Sequence, residues 1–229
     1  LNGGTFTAAI TNDGTFRYGS SAAQTMSGII SGTGALTKLG SGNLTLSGAN
    51  TFTGATLVSA GTLTAASGAL AGTSGITVNG ATLTAVNVNA AATLTLNATG
   101  LATISAVDQT VGAVTNANAT DANALNFTAS TGTVTLASLS GAGKTTFGSA
   151  ATVTGAISDG VVNVAGALIA GSVTGGTNTI TGAATVTTLN GGALTVGGVA
   201  TVTTLTTGTL NANGATAVVT TLNGGNIAL

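Results

Sequence analysis

Few side chains in this sequence can titrate, attack a substrate or bind a metal. The chain of 229 residues has three Lys or Arg and four acidic residues, all of them Asp, with no His and no Cys. A Ser–His or Cys–His nucleophile is therefore impossible, as is a His/Cys metal site. The seven ionised side chains are Asp13, Arg17, Lys38, Asp108, Asp121, Lys144 and Asp159. Only the four aspartates are left as candidates for catalysis.

The aspartates predict turns better than they predict an active site. Asp108 and Asp121 are close in sequence, and on neighbouring coils they could form the carboxylate pair of a glycoside hydrolase. Asp13 and Asp159 each precede a glycine, which is ordinary turn chemistry. The three basic residues form no evident cluster with the acids, so a polysaccharide lyase is a remote alternative. We predict a protein that is not an enzyme, with no catalytic residue, no cofactor and no metal.

Charge and composition exclude several further classes of function. The formal net charge is −1 and only 3% of the residues are charged, so the chain lacks a basic surface for nucleic acid or for anionic lipid. No run of about 18 apolar residues occurs that would insert into a membrane as a helix. Proline is also absent, in keeping with uninterrupted backbone ladders. Such a composition suits a fibre, a coat or a shaft.

A short repeat of about 16 residues organises the end of the chain. An apolar position recurs at Ile157, Val173, Leu189, Leu205 and Leu222. One glycine column follows it at Gly160, Gly176, Gly192, Gly208 and Gly225, and a second runs through Gly166, Gly182, Gly198 and Gly214. A short fixed period with turns at fixed phase is typical of a solenoid whose coils stack on their neighbours. Thr and Val favour strands in each coil.

Alternation within the repeat predicts which side chains point inward. The first strand of each coil has an inward column at Val162, Asn178, Leu194, Leu210 and Ile227, and between its inward residues an outward column at Asn163, Thr179, Thr195, Asn211 and Ala228, as a period of two demands. In the second strand two threonines break the alternation, where we expect a bend. Asn178 is the exception inside, because a buried amide needs partners. The fold class is an all-β, single-stranded parallel β-solenoid with roughly 16–17 residues per coil in the C-terminal half.

Residues 32–63 carry a long motif. They follow the pattern G-x-G-x-L-x-K-x-G-x-G-x-L-x-L-x-G-x-N-x-[YF]-x-G-x-T-x-[VI]-x-x-G-x-L. This segment resembles the autotransporter-associated β-strand repeat, also called the passenger-associated transport repeat. The departures are Phe52 for the commoner Tyr and Leu57 where Thr is frequent. The resemblance implies a right-handed β-helix at the bacterial surface or in a secreted passenger, a family whose members are mostly structural or adhesive stalks.

We predict one continuous solenoid over residues 1–229. Residues 1–128 form less regular coils that include the motif at 32–63, and residues 129–229 form regular coils. A longer loop is expected at Asn116–Asn123. The whole chain should make roughly 13–14 coils and, at ~4.8 Å per coil, a rod about 65 Å long.

Lys38 and the aromatic residues have ordinary structural explanations. Lys38 occupies a repeated motif position, so we predict an outward strand residue or an edge gatekeeper rather than a ligand contact. The four rings Tyr18, Phe52, Phe127 and Phe147 are predicted to fill the core or to stack, rather than to form a platform for sugars.

Outward threonines raise ice binding as another remote alternative. Thr185-x-Thr187 and Thr201-x-Thr203 form two complete Thr-x-Thr rows, but Ile169 and Val218 interrupt the rows on either side. Two rows make a poor array.

The ends of the chain suggest that copies of the protein associate with one another. The first four residues match the start of a later coil, and residues 226–229 end within a coil, so neither end has a cap. Uncapped sheet edges pair with other chains, and head-to-tail stacking of copies gives a filament. We expect an extracellular or cell-surface structural protein that builds a filament, sheath or stalk with itself as partner. The alternative is an adhesin or autotransporter passenger that binds surface glycans or host surfaces. Neither nucleic acid nor membrane insertion is expected.

Overall fold

The fold is a stack of parallel strands from one end of the chain to the other. The structure is a computed structural model, and it describes residues 3–97, 99–129 and 131–229. Within these residues it contains strands and turns but no helix, and consequently no helix suited to crossing a bilayer. The strands are β1 Gly4–Phe6, β2 Ile10–Thr11, β3 Thr15–Tyr18, β4 Gln24–Met26, β5 Ile30–Ser31, β6 Ala35–Lys38, β7 Asn43–Leu46, β8 Thr56–Val58, β9 Thr62–Ala65, β10 Gly75–Asn79, β11 Thr82–Ala85, β12 Thr93–Asn97, β13 Leu101–Ile104, β14 Gln109–Asn116, β15 Leu125–Phe127, β16 Thr133–Ser140, β17 Lys144–Phe147, β18 Ala150–Ile157, β19 Val161–Val164, β20 Leu168–Val173, β21 Thr177–Ile180, β22 Ala184–Val196, β23 Ala200–Asn211, β24 Ala217–Leu222 and β25 Asn226–Ala228.

Each coil contributes strand segments to as many as three parallel faces. Face A consists of β1, β4, β7, β9, β11, β13, β15, β17, β19, β21, residues 193–196 of β22, residues 209–211 of β23, and β25. Face B consists of β2, β5 and the first parts of β14, β16, β18, β20, β22, β23 and β24. Face C consists of β3, β6, β8, β10, β12, the last parts of β14, β16, β18, β20 and β24, and the middle parts of β22 and β23. Several long strands turn a corner between faces, so 23 of the strands form one continuous sheet.

The predicted parallel β-solenoid is confirmed. The chain makes about 12 turns with about 18 residues in each. In the C-terminal half, Val173 pairs with Leu189 and Leu205 pairs with Leu222, so the coils keep the short period expected there. The handedness of the coil stays a prediction. The in-phase start that we inferred from residues 1–4 rests partly on Leu1 and Asn2, which lie outside the described residues.

The predicted number of roughly 13–14 coils is wrong, because the early coils are longer than the late ones. On face C, Phe16 pairs with Leu36, and Leu36 pairs with Thr56, and both steps exceed those of the regular half. The step from Val114 to Leu139 is longer still and includes the predicted loop after β14. At ~4.8 Å per coil, about 12 turns give a rod about 58 Å long.

The interior is filled by columns of apolar side chains. The five positions Ile157 to Leu222 form the end of a column on face C that begins at Phe16 and includes Leu36, Thr56, Ile76, Leu94, Val114 and Leu139. Ile157, Val173, Leu189 and Leu205 are fully buried, but Leu222 on the last coil is 58% exposed. The pairing skips Thr187 and Thr203, where the bend was expected.

Glycine is needed at the corners for two reasons, a left-handed conformation and close stacking of backbones. Gly160, Gly176, Gly192, Gly208 and Gly225 all have positive φ and turn the chain from face C into face A. In the second column Gly182 lacks a positive φ, but a Cβ there would lie 2.6 Å from the carbonyl oxygen of Gly166. The first column therefore needs glycine for its conformation. In the second column Gly182 needs glycine for close stacking of backbones, whereas Gly214 has a positive φ and no atom within 4 Å of an added Cβ.

Candidate functional site

The aspartates act as hydrogen-bond acceptors for turns. Asp13 accepts the backbone N–H of Thr33 at 3.0 Å, and Asp108 accepts that of Thr133 at 2.9 Å. Asp121 and Asp159 accept N–H groups one or two residues ahead. Across the described part of the chain, no three His, Cys, Asp or Glu side chains lie close enough to hold a metal ion. The structure therefore gives the four acids roles in turns.

Lys38 is buried, which contradicts its predicted outward position. Its side chain is 0% exposed at the end of β6, and the ammonium donates to the carbonyl oxygens of Gly40 and, at 2.9 Å, of Ala60. The same ammonium lies 5.6 Å from the ring centroid of Tyr18, within the range of a cation–π contact. Two turn carbonyls and an aromatic face thus replace water around the charge. The aliphatic stem fills the corner between faces C and A.

Burial lowers the pKa of the Lys38 amino group below its ordinary value of 10.5. Between the lowered pKa and the ordinary one, the unfolded chain binds more protons than the folded chain, so stability rises with pH in that range. We expect the free energy of unfolding of the wild type, minus that of Lys38→Met, to increase from pH 7.5 to pH 10.5. Denaturant unfolding at both pH values measures it, and a difference that falls with pH would contradict the buried position.

Lys144→Met supplies the matched control for the loss of one positive charge. Lys144 lies on the outer surface of face A and is only half-buried. Subtracting the change in unfolding free energy measured for Lys144→Met leaves the contribution of the buried Lys38 ammonium.

Buried amides bond neighbouring coils where apolar columns are interrupted. Asn50 accepts the N–H of Ile30 at 2.8 Å through Oδ1 and donates through Nδ2 to the carbonyl of Ala69 at 3.1 Å. Gln109 makes the same kind of paired contact with the backbone of Val88. These side chains add to the backbone bonds between coils, such as that from Thr51 to Ile30, in the region between β5 and β14 where face B has no described strand.

Replacing Asn50 by Leu should lower the free energy of unfolding by roughly 2–5 kcal/mol, because one buried N–H and one buried C=O lose their partners. Thermal or denaturant unfolding measures the loss. Asn43→Leu is the control within the same segment, since Asn43 points outward and only accepts a hydroxyl from Thr64 at 3.2 Å. Equal losses at the two positions would show that Asn50 does not bridge the coils.

Asn178 is satisfied only in part. It is fully buried on face A, and Nδ2 donates to the carbonyls of Gly175 and Ala193, each at 3.2 Å. Its Oδ1 has no protein partner. The inward position expected from the alternation is confirmed.

The aromatic residues belong to the core, as predicted. Tyr18, Phe52, Phe127 and Phe147 are at most 3% exposed. The rings of Phe127 and Phe147 stack with their centroids 5.1 Å apart and an interplanar angle of 5°. A shallow groove of about 360 Å³ is lined by Phe147 and by outward residues of face A that include Thr146, Asn163 and Thr179. It holds no titratable group.

The structure reveals a long polar column on the outside of face A. The outward column of face A, which we call the threonine row, runs in register through Thr5, Thr25, Thr45, Thr64, Thr84, Thr103, Asn126, Thr146, Asn163, Thr179, Thr195 and Asn211. Only its last part was recognised, because the spacing of the early coils varies. The signal was the recurring triplet of an apolar residue, Thr and an apolar residue, as in Leu44-Thr45-Leu46.

Comparison with known proteins identifies one segment. Residues 36–65 match the passenger-associated-transport-repeat family. The predicted resemblance is thereby confirmed for 30 of the 229 residues. No curated protein and no solved structure matches the chain.

The structure explains the residues that the passenger-associated transport repeat prescribes. Its leucines, such as Leu36, Leu44 and Leu63, are inward rungs, and Lys38 and Asn50 are the buried polar groups that contact adjacent coils. Phe52 takes a fully buried place in the core. The motif is therefore a rule for stacking one coil on the next, and none of these residues is assigned to chemistry.

Proposed function

We propose that this chain is a structural β-helix rod of a bacterial cell-surface or extracellular protein, as the passenger-associated transport repeat suggests. The observation that carries the proposal is the continuous parallel ladder of face A, from β1 to β25. Such a ladder uses the backbone hydrogen bonds of every coil, and the columns beneath it exclude water. The mechanism is mechanical: the rod sets a distance and resists unfolding and proteolysis.

A more specific version of this proposal is self-association through the exposed edge of the last coil. On the last coil Leu222, Ile227 and Leu229 are exposed by 58%, 39% and 81%, although their columns are buried further back and, apart from Asn178, apolar there. One more coil stacked on β24 and β25 would cover them, either from further chain or from a second copy. Stacked copies would extend the ladder into a filament.

Electron microscopy of the 229-residue chain at rising concentration tests both forms. Rods about 58 Å long that resist protease support the structural proposal, and particles without a rod shape would overturn it. Unbranched filaments with that axial repeat would add self-stacking, whereas rods that never join would eliminate it. Ile227→Lys should block filaments by placing a charge at the edge. Val199→Lys, on an exposed turn, should leave them intact.

Adhesion to glycans has less support. An outward row of aromatic rings would favour it, and among the described residues no Phe or Tyr belongs to the exposed large hydrophobic side chains. Surface glycans as partners stay a prediction, to be checked by binding to a glycan array.

A further inference from the structure

We propose that the outer surface of face A, centred on the threonine row, binds ice. This inference goes beyond the structural function, and neither depends on the other. It also differs from the array considered from the sequence, which lies on face B around Thr185 and Thr201. The relevant surface is on another face and is far longer.

The first argument is the regularity of the row. Nine threonines and three asparagines occupy twelve successive rungs of face A, and none of them is buried. Rungs are ~4.8 Å apart, so the row spans about 50 Å. Within face A the pairing of these rungs keeps one register. The register shift before the last rungs lies at the corner, between Asn190 and Ala193. Hydrogen-bonding groups therefore repeat at one spacing from Thr5 to Asn211, and the column ends at Ala228 on the last rung.

The second argument is a partial second column beside the row. Two residues earlier on the same strands lie Thr62, Thr82, Thr177 and Thr209, at a distance of about 6.6 Å along the strand. On these four strands the face presents two polar side chains per strand, whereas Leu101 and Val161 occupy the same column on other strands. Ice presents flat rows of oxygen atoms with repeats close to the spacing between strands. Each threonine supplies a hydroxyl that can take the place of one water and a methyl that fills the gap between waters.

The third argument is the charge of the surface. Among the outward positions of the two columns only Lys144 is charged. A neutral surface does not impose the tightly oriented hydration shell of an ion, and it does not attract an ionic partner. The occupant that complements it is a neutral lattice of hydrogen-bonding groups, which is what ice offers.

The fourth argument is that the row is preorganised. β-Branched Thr is stiff at χ1, and its backbone is fixed by pairing on both sides. Little side-chain entropy is therefore lost on binding. Within the described residues of the row, Thr64 is alone in donating its hydroxyl to another protein side chain, Asn43. The other hydroxyls are free to bond water.

Faces B and C lack the same continuity. The outward row of face B passes through Ile169 and Val218, which are 54% and 48% exposed. The outward row of face C contains Arg17 and Leu57. Exposed apolar side chains interrupt the row of face B, and one charged and one apolar residue interrupt that of face C. Face C can therefore serve as the control surface for face A.

The test is ice affinity of the full chain, measured by thermal hysteresis, crystal shaping and partitioning into a slowly growing ice front. The wild type should shape crystals and enter the ice. The double variant Thr84→Tyr/Thr103→Tyr places two bulky rings on adjacent rungs of the row and should lose this activity. Tyr has high strand propensity, so the variant should fold, as an unchanged thermal unfolding curve would verify.

The matched control is Thr77→Tyr/Thr95→Tyr, on adjacent rungs of face C, which should keep the activity. A wild type excluded from ice would overturn the proposal, as would equal loss in the two variants or no loss in the face A variant. A wild-type dimer that the face A substitutions dissociate would assign this face to a second copy instead, and would also overturn it. None of these results bears on whether the chain is a rod by electron microscopy.

Discussion

An alanine at Leu189 should lower the free energy of unfolding by about 2–5 kcal/mol, whereas an alanine at Leu222 should lower it by less than about 1 kcal/mol. Both leucines belong to the same inward column of face C. Leu189 is fully buried between Val173 and Leu205, whereas Leu222 is 58% exposed and pairs on one side only. The residue type and the position within the coil are matched, so the difference isolates burial.

Denaturant unfolding measures the loss, and hydrogen exchange locates it. Each coil of a solenoid contacts only its neighbours, so Leu189→Ala should speed amide exchange mainly in β20, β22 and β23. Similar losses for the two leucines would mean that the column does not continue through Leu189 as a packed core. A loss spread evenly over the chain would contradict nearest-neighbour stacking.

Substituting Gly176 by Ala should cost more than the ~1–3 kcal/mol of backbone strain alone. Gly176 has φ +75°, and a Cβ there would lie 2.4 Å from the carbonyl oxygen of Gly160 on the preceding coil. The turn must therefore adopt a strained conformation and also move away from its neighbour. Because that neighbour is backbone, the coil spacing itself must open. Thermal unfolding of the purified variant measures the cost.

Two other glycines separate strain from close contact. Gly214 has φ +81° with nothing within 4 Å of an added methyl group, and Gly19 has open space without a positive φ. Gly214→Ala should cost only the strain of a left-handed residue, about 1–2 kcal/mol, and Gly19→Ala should be neutral or slightly stabilising. If Gly176→Ala cost no more than Gly214→Ala, close stacking of the turns would not be what selects glycine there.

The two halves of the rod are stabilised by different means. Buried polar side chains are concentrated before residue 150, and Asn178 is the one that follows. In the longer early coils Lys38 lies at the corner between faces C and A, and Lys38, Asn50 and Gln109 all bond backbone groups of adjacent coils. The shorter late coils rely mainly on apolar columns. The polar contacts fix which coil lies on which, because a shifted register would leave them unpaired.

The sequence by itself determined the strands, the turns and the inward columns of the regular half. Alternation at Val162–Val164 and its equivalents has a period of two, and glycine marks the corners, so both signals are local and repeat at constant spacing. The stacked and buried aromatic residues, the absence of helix in the described residues and the repeat at 36–65 also followed from local patterns.

Only the tertiary structure decided the number of coils, the position of Lys38 and the length of the threonine row. Coil length varies from the short step between Val173 and Leu189 to the long one between Val114 and Leu139. This variation hides the register of the early half, because insertions at corners change the spacing without changing the stack. Lys38 is buried because a turn of the next coil supplies the carbonyl of Ala60 and an earlier strand supplies the ring of Tyr18. Each partner is about one full coil away along the sequence, and only the stacking of coils brings them to the same corner.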